Sequence, residues 1–554
     1  MRPAATTEAP TGDAVERAPR LSAAGRAFAW LRSRPAAILA MAFTLVVLVH
    51  AGANPPWAAP DEPAQQIKAA ALARGQLGAR PRYDRAPLTF DEDHFRRLTR
   101  TVVLPARVVP PQQLPCFALR AAVPGSCLDD PAALGPWALD AAARVAQNAA
   151  AGSTESIDGM IAGLDAVDTP AGPKLATSTY YGVYPPFAYA LPGVAGRLGT
   201  TPRRVLYLGR LANVTLCGAL LALGTVVGAG GVRGHRLLGP LLAVTPMVAF
   251  VSGTLSASGP EIAGGYCCAA GLIALGRTPP TSGAWPAVAC GALALAGARQ
   301  LGPIELALVL GAFAATAGRR RLVALWAARP RWLVPVGAAV GGLGSAVIGW
   351  DVFVMPRPPD HPGTVREYLR NSIHDLPEQL REFVGVFGWL DTRLPSGVYL
   401  AWAAAAALVF TAALATGTRR SRVVLVGGVL GTLAVTIACG ILIGYPINSR
   451  AQGRWVLPLV VALPLLAGEV VTARASRRRW AHALTLLSGL VAAGSHFSAI
   501  VANGRRYAGP SLNGWAPPFG WGPWLVVAGV GAVGIVTAAL LAGTGRSCEA
   551  ERRA

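Results

Sequence analysis

The sequence contains very little lysine: Lys68 and Lys174 are the only two lysines in 554 residues, so arginine supplies nearly all of the positive charge. A formal net charge of +22 could indicate nucleic-acid binding. The arginines, however, cluster in short segments between apolar runs, an arrangement typical of the cytoplasmic loops of membrane proteins. The sequence therefore argues against nucleic acid as a partner. The clusters lie at 17–34, 319–321, 419–422 and 474–479.

Residues that commonly bind metals are also scarce. The 7 histidines and 8 cysteines form no CxxC motif and no His/Cys cluster, which argues against a structural zinc site. Cys116 and Cys127 are the only two cysteines in a long polar segment, and we expect a disulfide between them if that segment lies outside the cytoplasm. The alternative is two unrelated free thiols. The other cysteines lie in apolar runs or the C-terminal tail: Cys217, Cys267, Cys268, Cys290, Cys439 and Cys548.

Long polar stretches are few, and apolar residues make up 53% of the chain. They fall into runs of about 17 to 24 residues, long enough to cross a hydrocarbon core of about 30 Å. The sequence predicts an all-α polytopic membrane protein, with a disordered cytoplasmic tail at 1–33, a membrane domain at 34–546 and a second cytoplasmic tail at 547–554. The predicted spans are 36–53, 204–228, 236–254, 259–276, 283–299, 301–317, 332–350, 396–416, 423–445, 455–473, 480–501 and 523–543.

One further apolar segment, 184–198, leaves the number of spans at twelve or thirteen. It is about fifteen residues long and carries Pro185, Pro186 and Pro192, so it can form a short span or a re-entrant segment. If it does not span, every arginine cluster falls on the same side of the membrane as the N-terminus. If it does span, another helix must be broken, and 299–303 is the predicted position of that break.

Residues 54–183 form a polar loop that is too long for a simple connector and holds 13 of the 28 acidic residues. With the N-terminus in the cytoplasm of a bacterial cell, this loop lies outside the plasma membrane. A second predicted external loop covers 351–395, and shorter ones cover 446–454 and 502–522. We therefore expect any functional site to be on the external face.

An acidic pair, Asp61-Glu62, begins a polar helix shortly after the first apolar run. Asp61, Gln65 and Lys68 share one face of that helix, which places an acid, an amide and a cation together beside the membrane. Such a group can bind a hydroxylated or phosphorylated substrate. The alternative interpretation is that Asp61 or Glu62 only caps the helix.

Several segments together resemble the bacterial membrane proteins grouped as domain of unknown function 2142. Two positions depart from the expected pattern: Gln65 stands where we expect histidine, and Trp455 stands where we expect tyrosine. Neither departure removes the acidic pair or Arg454, but no role for that histidine carries over to this chain. The matching segments are PPWAAPDEPAQQIKAAALARGQL, YYGVYPPFAYALPG, RLANVTLCGALLAL, TPMVAFVSGTLSASGPEIA, REFVGVFGWLDTRLP and NSRAQGRWVLPL.

That family looks like a branch of the GT-C glycosyltransferases, which take sugars from polyprenyl-phosphate carriers. The resemblance implies an inverting membrane transferase with Asp61 as general base, and with Glu62 orienting the acceptor or helping to hold a divalent cation. The partners would be the bilayer, a polyprenyl-phosphate sugar and an envelope glycan, lipid or protein. No cofactor follows from the sequence, and a divalent cation held by Asp61 and Glu62 remains open.

Transfer from a phosphate carrier requires positive charge on the leaving group. Arg454, which precedes a span, is the leading phosphate-binding candidate, because a guanidinium can hold two phosphate oxygens. The alternative is an arginine that only anchors the span at the lipid head groups. Arg450, Lys68 and Gln65 are further candidates for binding the phosphate or the substrate.

Aromatic residues cluster at two predicted membrane boundaries. Tyr184 belongs to the first cluster, while Trp389 and Asp391 belong to the second, and all three are candidates for binding sugar or carrier. The usual role of such tyrosines is an interfacial belt. Glu261 and Glu305 lie in or beside spans, where an ionisable group is costly and often functional. The other aromatic residues of the two clusters are Tyr180, Tyr181, Phe187, Tyr189 and Phe387.

Two other classes of function remain open. Twelve spans also suit a transporter or lipid flippase, although the span pattern contains no clear inverted repeat. A noncatalytic partner in cell-envelope assembly is the third class. Replacing Asp61 with asparagine separates these hypotheses, because a catalytic base would lose most turnover and a capping residue would lose little.

Overall fold

The computed structural model describes most of the region predicted to lie in and around the membrane. Residues 1–32 and 545–554, residues 129–173 of the long loop and residues 445–449 fall outside the described residues. The described ranges are 33–80, 93, 96–110, 115–118, 120, 122–128, 174–356, 363–444, 450–475, 479–509 and 514–544.

Helices dominate these ranges. The first nine are α1 (Pro35–Ala53), α2 (Glu62–Leu72), α3 (Phe187–Gly196), α4 (Pro202–Gly228), α5 (Leu238–Ala243), α6 (Pro246–Gly253), α7 (Ser258–Gly276), α8 (Ala284–Ala298) and α9 (Gly302–Ala317). The next nine are α10 (Arg319–Ala327), α11 (Leu333–Phe353), α12 (Val365–Val384), α13 (Ser396–Thr416), α14 (Arg419–Cys439), α15 (Leu457–Val460), α16 (Ala462–Ala475), α17 (Arg479–Ala508) and α18 (Trp521–Thr544).

Within the described ranges, eight helical segments are long and apolar enough to cross a membrane. They correspond to α1, α4, α11, α13, α14 with the π turn Gly440–Gly444, the α15–α16 segment, α17 and α18. The other four predicted spans are also helical. Of these, 236–254 is divided into α5 and α6, while α8 and α9 are 15 and 16 residues long. The chain is thus an all-α polytopic membrane protein, and twelve crossings remain a prediction.

The ambiguous segment 184–198 contains only the ten-residue helix α3. At 1.5 Å per residue, α3 is about 15 Å long, about half of what a crossing requires. It packs on α2 and on the start of α4. The backbones of α2 and α3 approach so closely that a Cβ on Gly193 would lie 2.4 Å from the carbonyl oxygen of Ala69. The segment therefore covers α2 and does not cross the membrane.

The two small sheets of the described ranges are each antiparallel and two-stranded. β1 (Arg100–Pro105) pairs with β2 (Lys174–Thr179), with Arg100 opposite Thr179. β3 (Val386–Phe387) pairs with β4 (Thr392–Arg393). β2 also packs on α2, so the sheet formed by β1 and β2 lies over the polar helix that follows the first span.

The bundle has two distinct faces, separated by the length of α4. Its 27 residues span about 40 Å. Near its start, Arg210 bonds the end of α1. At its far end, Arg277 donates to the carbonyl oxygens of Val227 and Gly228 and pairs with Glu469. The arginine clusters at 319–321 and 419–422 lie at the same far end, where Arg321 donates to the carbonyl oxygen of Leu275 and Arg420 to that of Ala315. The acidic pair and these two clusters therefore lie on opposite faces of the bundle.

Candidate functional site

Asp61 occupies the N-cap position of α2, but its side chain makes no capping hydrogen bond. The carboxylate accepts hydrogen bonds from the hydroxyls of Tyr180 (2.9 Å) and Tyr181 (3.0 Å), and from Nη2 of Arg454 at 3.1 Å. The Asp61 backbone is left-handed, with φ of 63°, a conformation that aspartate tolerates better than most residues. The capping interpretation is therefore wrong for Asp61, whose carboxylate forms a cluster with three distant side chains.

The two tyrosines keep their protons in this setting. Burial, followed by the negative charge of Asp61, raises the pKa of Tyr180 and of Tyr181 well above the usual value. Both phenols therefore remain donors to the carboxylate. Tyr184 stacks on Tyr181 with ring centroids 4.3 Å apart, which extends the aromatic wall beside Asp61. These tyrosines surround the carboxylate of Asp61. A belt of aromatic residues at the membrane interface would not require this contact.

Arg454 lies in the short 3₁₀ turn Gly453–Trp455, immediately before α15. Its side chain is 6% exposed. Besides the bond from Nη2 to Asp61, its buried Nε has no hydrogen-bond partner among the described residues. The guanidinium therefore contacts the predicted base and still has an unused donor.

Glu62 occupies a different environment from its neighbour. It is fully buried, and both carboxylate oxygens accept from Arg210, with Nε to Oε1 at 2.8 Å and Nη2 to Oε2 at 2.7 Å. Oε1 also accepts from the backbone N–H of Leu255. Both oxygens of Glu62 are therefore occupied by the pair with Arg210 of α4, which in turn bonds the end of α1. A role of Glu62 in orienting the acceptor or holding a cation stays a prediction.

Within the described ranges, no group of three or more His, Cys, Asp or Glu residues is placed so that it could hold a metal ion. The donor set near Asp61 consists of phenols and a guanidinium, which repel or poorly bind a divalent cation. The residues present do not fit a divalent cation shared by Asp61 and Glu62.

Gln65 and Lys68 bind the backbone of segments that pack against α2. Gln65 is buried and accepts from the backbone N–H of Ala257 at 3.0 Å. Lys68 is also buried and donates to the carbonyl oxygen of Gly182 at 2.6 Å. Burial, followed by the charge of Arg100, lowers the pKa of Lys68 to about 8. Both side chains thus fix neighbouring segments to α2, and their role in binding a substrate stays a prediction.

The second aromatic cluster also has a packing role. Trp389 donates to the carbonyl oxygen of Trp57 at 3.1 Å, and Asp391 pairs with Arg506 at 2.9 Å. Arg450, in turn, pairs with Glu382 of α12 at 2.6 Å. These three predicted substrate residues therefore support the segments around Asp61, while Asp61, Arg454 and Tyr184 are the predicted residues that come together.

Cys116 and Cys127 are joined by a disulfide, with Cα atoms 6.2 Å apart. Cys127 belongs to a small core that also contains Trp389 and Tyr507. The disulfide thus ties part of the long polar loop to the same face as Asp61.

Arg210 and Arg299 are missing from the sequence-predicted site. Arg210 is the one charged residue within positions 205–228 of α4. A lone charge in an apolar run is often functional, and this was the sequence feature that could have identified it. Arg299 ends α8 and donates to the buried Glu261 at 3.2 Å and to Ser258 at 3.1 Å. Glu305 is buried with neither carboxylate oxygen bonded to a described residue. Glu261 and Arg299 thus form a partly buried ion pair on the Asp61 face.

Comparison with solved structures gives two crystal structures of ArnT from Cupriavidus metallidurans, one in the apo state and one bound to undecaprenyl phosphate. Identity is 18% in both, and the TM-scores are 0.35 and 0.34. The alignments cover 65% and 67% of this chain, and 66% and 69% of the ArnT chains. The chain thus matches just under two thirds of the first ArnT chain. No curated protein matches the sequence.

Residues 165–463, more than half of the chain, match the family described as Predicted membrane protein (DUF2142). The matched range contains Arg454 and the tyrosines of the Asp61 cluster, and it begins after Asp61 itself. The family that the sequence segments indicated is confirmed by this match: the chain belongs to the DUF2142 family of membrane proteins.

Proposed function

We propose that the protein is a membrane glycosyltransferase that moves a sugar from a polyprenyl-phosphate donor to a cell-envelope acceptor. The observation that carries this proposal is the contact between Asp61, a partly exposed carboxylate, and Arg454, a guanidinium with an unused donor. A base and a phosphate-binding cation are the two groups that such a transfer requires.

In the proposed reaction, Asp61 takes the proton from the acceptor hydroxyl. The acceptor oxygen then forms a bond to the anomeric carbon while the bond from that carbon to the phosphate oxygen breaks. The departing phosphate keeps the electron pair, and Arg454 stabilises its added negative charge. The products are a glycosylated acceptor, a polyprenyl phosphate and a protonated Asp61 that returns its proton to water.

The Asp61–Arg454 contact suggests how the donor frees the base. A donor phosphate competes with Asp61 for the same guanidinium. Binding of the donor therefore weakens the pair and leaves the Asp61 carboxylate available to the acceptor hydroxyl, beside Tyr180 and Tyr181.

The position of the cluster supports a lipid-linked substrate. Seven residues separate Asp61 from the end of α1, and two separate Arg454 from the start of α15. Both residues therefore lie close to the ends of apolar helices. The disulfide on the same face and the arginine-rich loops on the other face support an external position in a bacterial plasma membrane. A carrier phosphate at the membrane surface would lie at this level.

The test is turnover of a panel of polyprenyl-phosphate sugars by the purified protein, followed by mass spectrometry with envelope extract as acceptor source. Wild type should consume one donor class, and Asp61→Asn should not. Asp93→Asn is the matched control, because Asp93 pairs with Arg97 elsewhere in the long polar loop. If the wild type binds carriers but never consumes them, the transferase proposal is wrong, and transport or assembly becomes the better explanation.

A further inference from the structure

Helix α12 has three faces with different surroundings. One face is buried against the protein and contains Tyr368, Ser372, Gln379 and Glu382. A second face is charged and contains Arg366, Arg370 and Arg381. Between them runs an apolar stripe of large aliphatic residues that are between 41% and 69% exposed: Val365, Leu369, Ile373 and Leu380.

An exposed aliphatic stripe beside a charged face is the pattern of a helix that lies in the membrane surface. The position of α12 in the chain agrees, because it connects two spans, α11 and α13, on the Asp61 face. Those spans also expose large apolar side chains at the ends that lead to α12: Phe353 of α11 is 87% and Leu400 of α13 is 70% exposed. Lipid acyl chains would cover the stripe and these side chains.

The buried face of α12 holds the segment that carries Arg454. Glu382 accepts from Arg450 at 2.6 Å and from the backbone N–H of Gly453, the residue immediately before Arg454. Gln379 donates to the carbonyl oxygen of Ala451 at 3.0 Å. Two side chains of α12 therefore fix the backbone from which Arg454 reaches Asp61.

We propose that α12 is a membrane-surface helix whose apolar stripe lies in the lipid leaflet, and that Glu382 positions Arg454 for the phosphate of a lipid-linked substrate. Glu382 is a positioning residue: it is fully buried and acts through Arg450 and Gly453. The same helix thus sets the depth of the site relative to the lipid head groups. The second half of this proposal rests on the proposed function, and the first half does not.

The membrane contact is tested in nanodiscs with a bimane label on Ile373→Cys, in a protein whose Cys290 and Cys548 are replaced by serine. Brominated lipids should quench this label at least about threefold more than a label on His374→Cys, the neighbouring position on the charged face. Equal quenching at the two positions would overturn the membrane-surface assignment. This measurement needs no substrate, so it stands even if the chain is not a transferase.

The positioning role is tested by the affinity for a polyprenyl phosphate, measured by native mass spectrometry. Glu382→Gln and Arg454→Gln should each weaken binding by about tenfold or more, and the double variant should lose little beyond either single variant. Glu378→Gln is the matched control, because Glu378 lies on the same helix and pairs with Arg381 and Arg393. It should bind like wild type.

Additive losses in the double variant would overturn the link between Glu382 and Arg454. If Glu382→Gln does not yield folded protein, Gln379→Leu replaces it, since this change removes only the bond to Ala451. Normal affinity in Gln379→Leu would then count against the positioning role. If wild type binds no polyprenyl phosphate while the quenching difference is observed, the proposed function fails and the membrane-surface assignment holds.

Discussion

Asp61 and Glu62 are neighbours in sequence, but their carboxylates lie in different environments. The side chain of Asp61 is 23% exposed and meets two phenols and the edge of one guanidinium. The side chain of Glu62 is 0% exposed and is bound through both oxygens by Arg210. A carboxylate that can exchange a proton with a substrate needs access and unfilled lone pairs, and only Asp61 has both. The acidic pair therefore consists of one candidate reactive group and one structural group.

The difference follows from the backbone at the start of α2. The left-handed conformation of Asp61 turns its side chain away from the helix, while Glu62 begins the regular helix and points into the bundle. Arg210 also donates to the carbonyl oxygens of Ala51, Asn54 and Pro55 at the end of α1, where helical carbonyls lack partners. The Glu62–Arg210 pair thus fixes the place from which Asp61 faces its cluster.

The largest effect on stability should come from Glu62→Gln. Removing one partner of a buried ion pair leaves Arg210 charged and unpaired, so the free energy of unfolding should fall by about 3–5 kcal/mol. Thermal unfolding in detergent measures this change. The double variant Glu62→Met with Arg210→Met should recover part of the loss. A Glu62→Gln protein as stable as wild type would contradict the structural role.

Asp61→Asn should have the opposite profile. Loss of a general base typically lowers turnover by about 10²–10⁴-fold. Stability should fall less than in Glu62→Gln, because Asp61 is partly exposed and asparagine keeps an oxygen that can accept from a phenol. Turnover and thermal unfolding are measured on the same preparation. If both fall together, Asp61 resembles Glu62, and the comparison between the two acids fails.

Tyr181→Phe should give a smaller effect, because it removes one hydrogen bond to Asp61 and keeps the ring. A hydrogen bond to a charged group is worth about 1.5–3 kcal/mol, which corresponds to a change in turnover of roughly ten- to 150-fold. Tyr184→Phe is the control, since the structure records ring stacking on Tyr181 and no hydrogen bond from the Tyr184 hydroxyl to Asp61. Equal losses in the two variants would indicate that the phenol bond to Asp61 has no specific role.

The smallest effect should be a pH dependence that comes from Lys68. Its folded pKa of about 8 lies below the usual value of 10.5, so between these values the unfolded state binds more protons and stability rises with pH. The slope for one group is at most about 1.4 kcal/mol per pH unit. Lys68→Met should therefore flatten the stability profile of the wild type between pH 8 and 9.5. An unchanged profile would show that another group controls it.

Local patterns of the sequence predict the helical architecture, the acidic pair and Arg454, because hydrophobic run length and single charged residues are visible without tertiary structure. They do not distinguish Asp61 from Glu62, since the left-handed turn at Asp61 depends on packing between α1, α2 and α3. They also place Gln65 and Lys68 on a substrate face, although β2 and the 179–184 segment cover that face in the fold. For a residue whose partners are far away in sequence, such as Arg210, the sequence shows only a charged residue within an apolar run.

The order of synthesis also separates the two acids. The arginine that pairs with Glu62 follows it by 148 positions, whereas the arginine that pairs with Asp61 follows it by 393 positions. A growing chain can therefore close the Glu62–Arg210 pair as soon as the second long apolar helix has been inserted. The Asp61–Arg454 contact must wait until most of the protein has left the ribosome. The helices can thus begin to pack around Glu62 long before Asp61 has the arginine that the proposed reaction requires.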